Sequence, residues 1–411
     1  MRILVLSNFY PPYYIGGYEL GCRDAVEALR ARGHEVKVLT STYGIEKPEC
    51  EGDIYRWLET DIEWKNWKEQ GSPKYILKLL KKELNNKRSL RRLCEMFPPD
   101  VVYIWKLTHT SISLAFSARD LGYPTCFYIF DHWLTEGESD DRWYRLWYRS
   151  NTNRFYRWLK KPFIFLFETA GLLHGSSLDL QNVQFASSFL KQAALHAGRP
   201  VADAKIILWG IDTKKFPFNP SLHIPPCLLF VGQIIPIKGV HTAVEAMEIL
   251  VRKEGFDTLT LTLVGRGGDP EYVDHLKKIV KASDLSENIY FAGFVPHENL
   301  LSIYRNHDIL LFPSVWEEPF GIVILEAMSC GLGVIGTATG GSAEILQSDE
   351  TAALIFCKED AEACAAQIRR LIENPALLDR IRTGGRHRVE ETFNFEHTMD
   401  TIEKSLKEII H

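Results

Sequence analysis

Short apolar segments alternate with helix-like segments along the whole chain, and this alternation limits the possible folds more than any other feature. In the first half, a helix from about Tyr18 to Gly33 separates two such segments, and Gly33 is typical of a helix C-terminus. The strands predicted for this half are residues 2–7, 35–40, 101–105 and 125–130, with a weaker candidate at 171–176. Strands that alternate with helices predict a doubly wound parallel sheet.

The second half repeats the pattern after a proline-bearing segment at residues 214–226. Its predicted strands are residues 228–231, 260–264, 288–291, 308–312 and 333–336. We therefore predict two Rossmann-like α/β domains, residues 1–214 and 215–395. Because ligands of parallel sheets bind beyond the carboxyl ends of the strands, we expect a central cleft between the two. A dinucleotide cofactor is not expected, since the first strand is followed by Asn8–Pro12 and not by G-x-G-x-x-G.

Composition indicates a soluble enzyme. The 411 residues are too many for one typical core, and 45% hydrophobic and 25% charged residues are ordinary globular values. A formal charge of −5 argues against general nucleic-acid binding. Eight cysteines without a C-x-x-C pair indicate reduced thiols. The first strand is too short for a leader, and the apolar run 163–173 is too short for a membrane span. We therefore expect a cytoplasmic protein, with peripheral association at the inner membrane face as the alternative.

Two carboxylates bracket a strand-to-helix turn near the C-terminal end. Glu318 precedes the helix predicted at residues 321–330, and Glu326 lies more than one turn inside it. The first amides of such a helix have no partner within it and attract anions. An anion site between two carboxylates suits a nucleotide sugar, whose ribose and transferred sugar each offer hydroxyls. A single Glu at either position would more often be a helix-favouring surface residue.

The chain resembles the family 4 glycosyltransferases of the GT-B fold. Their hallmark is an acidic pair of this spacing, with Pro-Phe-Gly after the first Glu and Glu-Ala-Met around the second. The resemblance extends over nearly the whole chain, through Pro11-Pro12, Gly16-Gly17, residues 32–36, 210–212, 232–239 and 291–293, and Gly340-Gly341 with Glu344. It implies a donor-binding second domain, an acceptor-binding first domain, and a last helix at about 396–411 that crosses back to the first domain.

The resemblance also implies the site residues. Lys238 would neutralise the leaving diphosphate, and Glu318 would orient the transferred sugar. The positions that would bind the donor are Gly16, Gly17, Gln233, Lys238, Arg266, Gly293, Phe294, Glu318, Phe320, Gly321, Ile322, Val323 and Glu326. Loop glycines alone can also be purely structural.

Two positions depart from the family pattern. Relatives carry an arginine where this chain has Gln233, and a neutral amide cannot offset phosphate charge; Arg266 is a candidate replacement. Relatives also carry a histidine where this chain has Phe130. The acid–base candidates are therefore Asp131, His132 and His109, although a lone histidine is more often packed or exposed than catalytic.

Residues 142–161 combine seven basic and seven aromatic side chains with no acidic one. Such a segment can rest on an anionic membrane, line an acceptor groove or pack within the domain. The basic segment 74–92 has few aromatics, and a solvated helix is the default there.

We expect a retaining, metal-independent glycosyltransferase without a cofactor. It would move a sugar from a UDP- or GDP-sugar to a saccharide, lipid-linked or small-molecule acceptor in polysaccharide or glycoconjugate biosynthesis. The alternatives are a nucleotide-sugar epimerase of GT-B fold, or a non-catalytic sugar-binding subunit, which Gln233 and Phe130 motivate. Nucleotide base, sugar and acceptor are not determined by these residues.

Overall fold

The structure is a computed structural model that describes residues 1–62, 72–136, 141–149, 154–174, 178–347 and 350–410. Internal contacts divide the chain into two compact units. Unit 1 contains residues 1–186, 190–207 and 399–411, and unit 2 contains residues 187–189 and 208–398. The boundary placed at 214/215 from the sequence lies inside unit 2. The proline-bearing segment at 214–226 contains neither helix nor strand.

Unit 1 is built on an eight-stranded sheet in the order β3-β4-β2-β1-β5-β6-β7-β8, in which β3 alone among these strands is antiparallel to its neighbour. The central strands are almost completely buried, because both faces of a parallel sheet are covered by helices. The strands are β1 (Arg2–Ser7), β2 (Glu35–Ser41), β3 (Glu49–Glu51), β4 (Ile54–Leu58), β5 (Val101–Lys106), β6 (Thr125–Ile129), β7 (Val183–Phe185) and β8 (Lys205–Ile206).

The helices of unit 1 follow its strands in the expected alternation. They are α1 (Gly17–Ala31), α2 (Pro73–Met96), α3 (Ser113–Asp120), α4 (Trp133–Glu136), α5 (Arg142–Tyr144), α6 (Arg154–Thr169) and α7 (Ser188–His196). A π-helical turn, Arg145–Arg149, continues α5. The start of α2 is fixed by two residues, since Ser72 accepts a hydrogen bond from the Tyr75 amide and Pro73 occupies the first helical position.

Unit 2 has an all-parallel six-stranded sheet in the order β11-β10-β9-β12-β13-β14. The helices α8, α9, α13 and α14 pack an aliphatic core against it. Its strands are β9 (Leu228–Val231), β10 (Leu261–Val264), β11 (Ile289–Gly293), β12 (Ile309–Phe312), β13 (Gly333–Gly336) and β14 (Leu354–Ile355). Its helices are α8 (Val240–Glu248), α9 (Pro270–Ala282), α10 (Leu300–Arg305), α11 (Ile322–Cys330), α12 (Ser342–Leu346), α13 (Ala361–Glu373) and α14 (Pro375–Glu391).

The last helix, α15 (Phe395–Ile410), contributes residues 399–410 to unit 1. Its Glu403 forms an ion pair with Arg32 at the end of α1 (3.2 Å), and its other carboxylate oxygen lies 3.1 Å from Nε2 of His34. The final helix therefore packs on the first unit, as the family resemblance implies.

The prediction of two doubly wound parallel sheets is confirmed. The weaker strand candidate at 171–176 is wrong for residues 171–174, which form a turn and an irregular segment; residues 175–177 lie outside the described part. The strand that pairs with β6 is instead β7, three residues long, whose shortness left no periodic pattern in the sequence. Within the described ranges, no helix is both long and apolar enough to cross a membrane.

Candidate active site

The strand order of unit 2 reverses between β9 and β12, which are neighbours in the sheet but not consecutive in the chain. A crevice opens at such a reversal, beyond the carboxyl ends of the two strands. The loop after β9 leads to Lys238, and the loop after β12 leads to Glu318. Sheet topology thus brings to one place two residues that are far apart in the chain.

The two loops are joined by backbone contacts. The amides of Val315 and Trp316 donate to the carbonyl of Ile237 (3.0 and 3.2 Å). Gly239 adopts φ +66°, and a Cβ there would lie 1.9 Å from the carbonyl oxygen of Pro313. Only glycine satisfies both conditions, so Gly239 allows the close approach that positions Lys238.

Lys238 and Glu318 form an ion pair. The lysine Nζ lies 2.6 Å from one carboxylate oxygen of Glu318 and 2.9 Å from the other. The buried hydroxyl of Ser314 donates to the first of these oxygens (2.6 Å), and the Trp316 ring lies 5.3 Å from the ammonium. Glu318 is nearly inaccessible, whereas Lys238 keeps part of its surface open to solvent. A ligand can therefore reach the ammonium without displacing the carboxylate beneath it.

Gly340 and Gly341 support the backbone of Glu318. A Cβ on Gly340 would lie 2.4 Å from the carbonyl oxygen of Glu318, and one on Gly341 would lie 2.1 Å from that of Pro319. The Gly341 amide donates to the Glu318 carbonyl (2.6 Å). The carboxylate of Glu344 accepts a hydrogen bond from the amide of Phe189 (2.9 Å). This second glycine pair thus has a structural role in placing Glu318.

Glu326 is buried in α11, and both of its oxygens already have partners. Nε2 of His297 lies 2.6 Å from one oxygen, and the hydroxyl of Tyr304 donates to the other (2.7 Å). Burial and then the neighbouring Glu326 carboxylate raise the pKa of Tyr304 well above its usual value, so that this hydroxyl remains a donor. Each carboxylate oxygen keeps a second lone pair, so a ribose diol can still be accepted.

The helix that carries Glu326 begins where the sequence predicts an anion site. Gly321 precedes α11 with φ +121°, a conformation that a side chain would strain, and Phe320 is buried against Phe393. Ile322 and Val323, both half-buried, form the first turn. Their amides belong to the set that has no acceptor within the helix.

Gln233 and Arg266 lie on adjoining loops. The Ile234 amide donates to the Arg266 carbonyl (2.8 Å), and Gly265 packs so closely that a Cβ would meet the Gly232 carbonyl oxygen at 1.6 Å. The exposed Arg266 guanidinium lies over the Phe294 ring, 4.1 Å from its centroid. Gly293 lies beside this group, and its carbonyl accepts from the Gly265 amide (2.8 Å). A cation therefore stands near the loop in which the family arginine is replaced by Gln233.

In unit 1 the strand order reverses between β1 and β5, and the predicted residues follow these strands and β6. Gly16 and Gly17 open α1, but the amides of Ile15 and Gly16 donate to the buried carboxylate of Glu19 (3.2 and 3.0 Å). Burial raises the pKa of Glu19, against the effect of these amides and of Lys106. The amide of Gly16 is thus occupied within the unit, and any contact of the glycine pair with a ligand stays a prediction.

Asp131 pairs with Lys106 at the carboxyl ends of β6 and β5. Its other oxygen accepts from the Trp133 amide (3.0 Å), and the half-buried His132 is its neighbour in sequence. Lys106 also lies 4.6 Å from the centroid of the Tyr18 ring. Phe130 is buried beside Trp105, so the position that holds a histidine in relatives is part of the core here.

His109 follows β5 and adopts φ +68°. Its Nδ1 lies 3.2 Å from Oδ1 of Asp61, and the Lys82 ammonium donates to Oδ2 (2.8 Å). Burial alone would raise the pKa of Asp61, but Lys82 and the His109 hydrogen bond lower it to about 2. The imidazole is thus held through Nδ1 by a carboxylate that stays charged. Its second ring nitrogen, Nε2, is the one that could contact an acceptor.

A second buried carboxyl lies under this pair. Glu83 accepts hydrogen bonds from the hydroxyls of Ser111 and Ser113 and lies 3.6 Å from Lys82. Burial raises the pKa of Glu83 to about 7, despite the opposing charge of Lys82. None of Asp61, Lys82 and Glu83 has a sequence motif; only the fold brings them together beneath His109.

The segment 142–161 does not form one surface. Trp143, Tyr144 and Trp147 are buried within unit 1, where the Trp143 indole donates to the Leu172 carbonyl (2.8 Å). Trp158 is mostly exposed. Residues 150–153 and the side chains of 149 and 154–157 lie outside the described part. Packing within the domain, one of the three alternatives, therefore holds for the first part of the segment.

One group of potential metal ligands occurs among the described residues, formed by His223, Cys227 and Asp308. It lies at the amino ends of β9 and β12, the opposite end of the strands from Lys238. The Asp308 carboxylate accepts from the amides of His223 and Cys227 (3.1 and 2.7 Å). These contacts give the aspartate a structural role in anchoring the proline-bearing segment.

Comparison with known proteins places this geometry in a class. Sucrose-phosphate synthase from Thermosynechococcus elongatus superposes with a TM-score of 0.73 at 21% identity, covering 99% of this chain and 98% of that one. Anabaena Alr3699/HepE, solved in complex with UDP and glucose, superposes with a TM-score of 0.68 at 18% identity, covering 99% of each chain. The fold is therefore that of the GT-B glycosyltransferases.

Two family models match most of the chain between them: "Glycosyl transferase 4-like domain" at residues 16–159 and "Glycosyl transferases group 1" at residues 212–388. Glycogen synthase of Mycobacterium tuberculosis is 26% identical over 96% of this chain and 92% of its own length. D-inositol 3-phosphate glycosyltransferase of Rhodococcus opacus is 29% identical over 43% and 40%. The chain belongs to the group 1, family 4-like glycosyltransferases, and it is a transferase enzyme.

Proposed function

We propose that the enzyme transfers a glycosyl group from a nucleoside diphosphate sugar to a hydroxyl acceptor, and that unit 2 binds the donor. The observation that carries this proposal is the pairing of Lys238 with the buried Glu318, at the point where the strand order of unit 2 reverses. Of the two cations in the predicted donor set, Lys238 is held by a buried carboxylate, and the Ser314 hydroxyl donates to that carboxylate.

Three parts of a donor match three parts of the site. The diphosphate suits the first amides of α11 and the accessible side of Lys238, because both present positive charge. The ribose suits Glu326, whose remaining lone pairs can accept a diol. The transferred sugar suits Glu318, which is fixed by Lys238 and Ser314 and so presents one geometry to the sugar hydroxyls.

The proposed reaction retains the anomeric configuration. The acceptor oxygen forms a bond to the anomeric carbon on the face from which the diphosphate departs. The electrons of the broken bond go to the diphosphate, and the acceptor proton passes to the same phosphate oxygen. Lys238 stabilises the charge that grows on this leaving group, a role in which one positioned cation contributes several kcal/mol.

We assign the acceptor to unit 1, where Asp131 and His109 are each held by a buried or half-buried partner. Either group can accept a hydrogen bond from an acceptor hydroxyl. The acceptor class stays open among saccharides, lipid-linked saccharides and small molecules. For the donor, UDP- and GDP-sugars are the candidates, and the UDP complexes of the similarly folded HepE are the reason to test UDP-sugars first.

We further propose that no metal is required, because Lys238, Arg266 and the α11 amides can together balance a diphosphate. Activity should then survive excess EDTA. A loss of activity on chelation that manganese or magnesium restores would contradict this part of the proposal and leave the donor assignment intact.

A panel of nucleotide sugars without acceptor tests the proposal directly. We expect slow hydrolysis of one donor, with release of nucleoside diphosphate, and faster release when the right acceptor is added. Isomerised sugar would instead identify an epimerase, and binding without turnover would identify a sugar-binding subunit. A thermal-shift screen selects the donors to test, since a ligand that binds the folded state raises its melting temperature.

A further inference from the structure

Helix α6 exposes a row of large apolar side chains. Phe165 is 72% exposed, Trp158 63%, Leu166 58%, Phe163 54% and Leu159 43%. Most exposed apolar residues in soluble proteins are scattered singly, whereas contiguous patches mark sites of interaction. Leaving Trp158 aside, four such residues within eight positions of one helix form an apolar surface of the kind that a partner covers.

The exposed row is one face of the helix. At 100° per residue, Trp158, Leu159, Phe163, Phe165 and Leu166 project over one side of α6. The opposite side is packed: Phe167 contacts the buried Trp143 and Trp147, with ring centroids 5.1 and 4.9 Å apart. Phe163 lies at the edge of the packed side, with its ring centroid 6.3 Å from that of Trp147. The helix is thus anchored to unit 1 by one face, and Leu159, Phe165 and Leu166 are exposed on the other.

The sequence of α6 and that of α2, which contacts the end of α6, are both rich in cations. No acidic residue occurs from Arg142 to Phe167, and Lys161 is exposed beside the apolar row. Lys87 of α2 donates to the carbonyls of Ala170 and Gly171 (2.9 and 3.0 Å), which joins α2 to the end of α6. The exposed cations of α2 are Lys74, Lys78, Lys81, Arg88, Arg91 and Arg92.

We propose that the outer face of α6 docks unit 1 on an anionic lipid bilayer, with its apolar side chains in the headgroup boundary and the cations of α2 near the lipid phosphates. A 16-residue helix is about 24 Å long and carries four cations, so it suits the plane of the interface and not a crossing. Aromatic rings are favoured at this depth, and each nearby cation adds to the attraction.

Charge distinguishes this occupant from a second copy of the chain. A two-fold dimer through α6 would place the same basic surface on both partners, and these like charges would oppose association. An anionic membrane offers the opposite charge over the whole area. The proposal does not depend on the transferase reaction, because it concerns residues outside the candidate donor and acceptor groups.

The test is flotation of the full chain with vesicles of phosphatidylcholine alone or mixed with phosphatidylglycerol. We expect binding to the anionic vesicles that weakens as salt rises from 0.05 to 0.5 M, since exposed charges are screened within a Debye length of about 10 Å at 0.1 M. Equal binding to neutral vesicles would overturn the role of the cations, and no binding to either would overturn the proposal.

Two variants separate the contributions of the apolar and the charged side chains to vesicle binding. Leu159→Ser, Phe165→Ser and Leu166→Ser together should lower the bound fraction at least about 10-fold. Lys161→Glu with Arg88→Glu and Arg91→Glu should abolish the preference for anionic lipid. The matched controls in unit 2 are Leu222→Ser with Ile224→Ser, and Lys278→Glu with Lys281→Glu, which should bind as the native chain does.

Two further measurements separate the other outcomes. Donor hydrolysis and melting temperature should be unchanged in the α6 variant, which shows that the chain is folded. Light scattering should give a monomer. A dimer that the α6 substitutions dissociate, together with absent vesicle binding, would assign the face to self-association and refute the membrane proposal. Failure of donor hydrolysis with intact vesicle binding would count against the proposed transferase reaction alone.

Discussion

In both units, candidate residues follow the two central strands between which the strand order reverses, and others follow the adjacent strands. In unit 2 these strands are β9 and β12, and in unit 1 they are β1 and β5. The residues that fill the two positions differ in kind. At this position in unit 2 lies the ion pair of Lys238 with Glu318, on loops whose glycines allow close backbone packing. Unit 1 has a layer of buried ionisable groups beneath the residues that reach the surface.

The difference indicates two ways of fixing a polar side chain. In unit 2, Gly239, Gly340 and Gly341 let the backbone of three loops approach, and the loops hold Lys238 and Glu318 directly. In unit 1, His109 depends on the charge of Asp61, which in turn depends on Lys82. Substitutions in unit 2 should therefore affect donor binding or turnover directly. Substitutions in unit 1 should act indirectly, through the hydrogen bonds and ion pairs that hold His109.

The largest effect is expected at Lys238. Lys238→Ala should lower kcat about 10²-fold or more, because charge develops on the departing diphosphate. Glu318→Gln should reduce turnover more than nucleotide affinity, since Glu318 orients the transferred sugar. Steady-state kinetics with the identified donor measure both, and Lys278→Ala on α9 is the matched control. Full activity of Lys238→Ala would remove the ion pair from the mechanism.

His109→Asn should lower acceptor-dependent turnover roughly 10-fold or more while leaving donor hydrolysis unchanged, as expected for a group that positions or deprotonates the acceptor. Asparagine tolerates the left-handed conformation that His109 adopts, so the backbone is kept. The comparison is transfer against hydrolysis, with His196→Asn as control. If the transfer rate and the hydrolysis rate fall together, His109 also affects the donor, and its assignment to the acceptor alone is wrong.

Glu326→Gln should weaken nucleotide binding by roughly 1–3 kcal/mol, because a buried ribose diol would lose a charged acceptor. Tyr304→Phe keeps the carboxylate and removes one of its donors, so it should affect nucleotide affinity less. Calorimetric titration with the nucleoside diphosphate gives both values. Equal losses in the two variants would mean that the hydrogen-bonded group acts as a whole and the carboxylate does not contact ribose.

The smallest effect is on stability. The pKa of Glu83 is about 7, above the ordinary value of 4.5, so the folded state holds this proton more tightly than the unfolded state does. Its contribution is fully present below about pH 4.5 and is lost as pH rises through 7. As pH rises from about 4.5 to 7, the melting temperature of Glu83→Gln should therefore increase relative to that of the native chain. Glu95→Gln, exposed on the same helix, should follow the native curve.

The fold was predictable because the patterns that indicate its strands and helices lie within short segments of the sequence. Alternating apolar strands and helices gave both sheets, and strands β1, β9 and β13 were predicted at their observed bounds. Five strands were not predicted: β3, β4, β7, β8 and β14. Four of them have only two or three residues, too few for a periodic pattern, and β4 has five. Their place is decided by pairing with a neighbouring strand, which only the folded chain provides.

The candidate site divides in the same way. Lys238, Glu318 and Glu326 stand in contiguous motifs, and the sequence alone named them. It did not predict the pairing of Lys238 with Glu318, the hydrogen bonds of Glu326 to His297 and Tyr304, or the support of Glu318 by Gly340. Each of these contacts joins loops that follow different strands, so their geometry depends on strand order in the sheet.

What the sequence by itself determined is therefore the class of fold, the family and the charged residues of unit 2, because helical and strand periodicity and short motifs are properties of neighbouring residues. What the tertiary structure decided is the electrostatic setting of unit 1 and the division of segment 142–161 into a buried part and an exposed helix face. Burial and charge pairing depend on residues brought together from distant positions. Asp61, Lys82 and His109 come into contact only in the folded unit, because they lie on three separate segments of the chain.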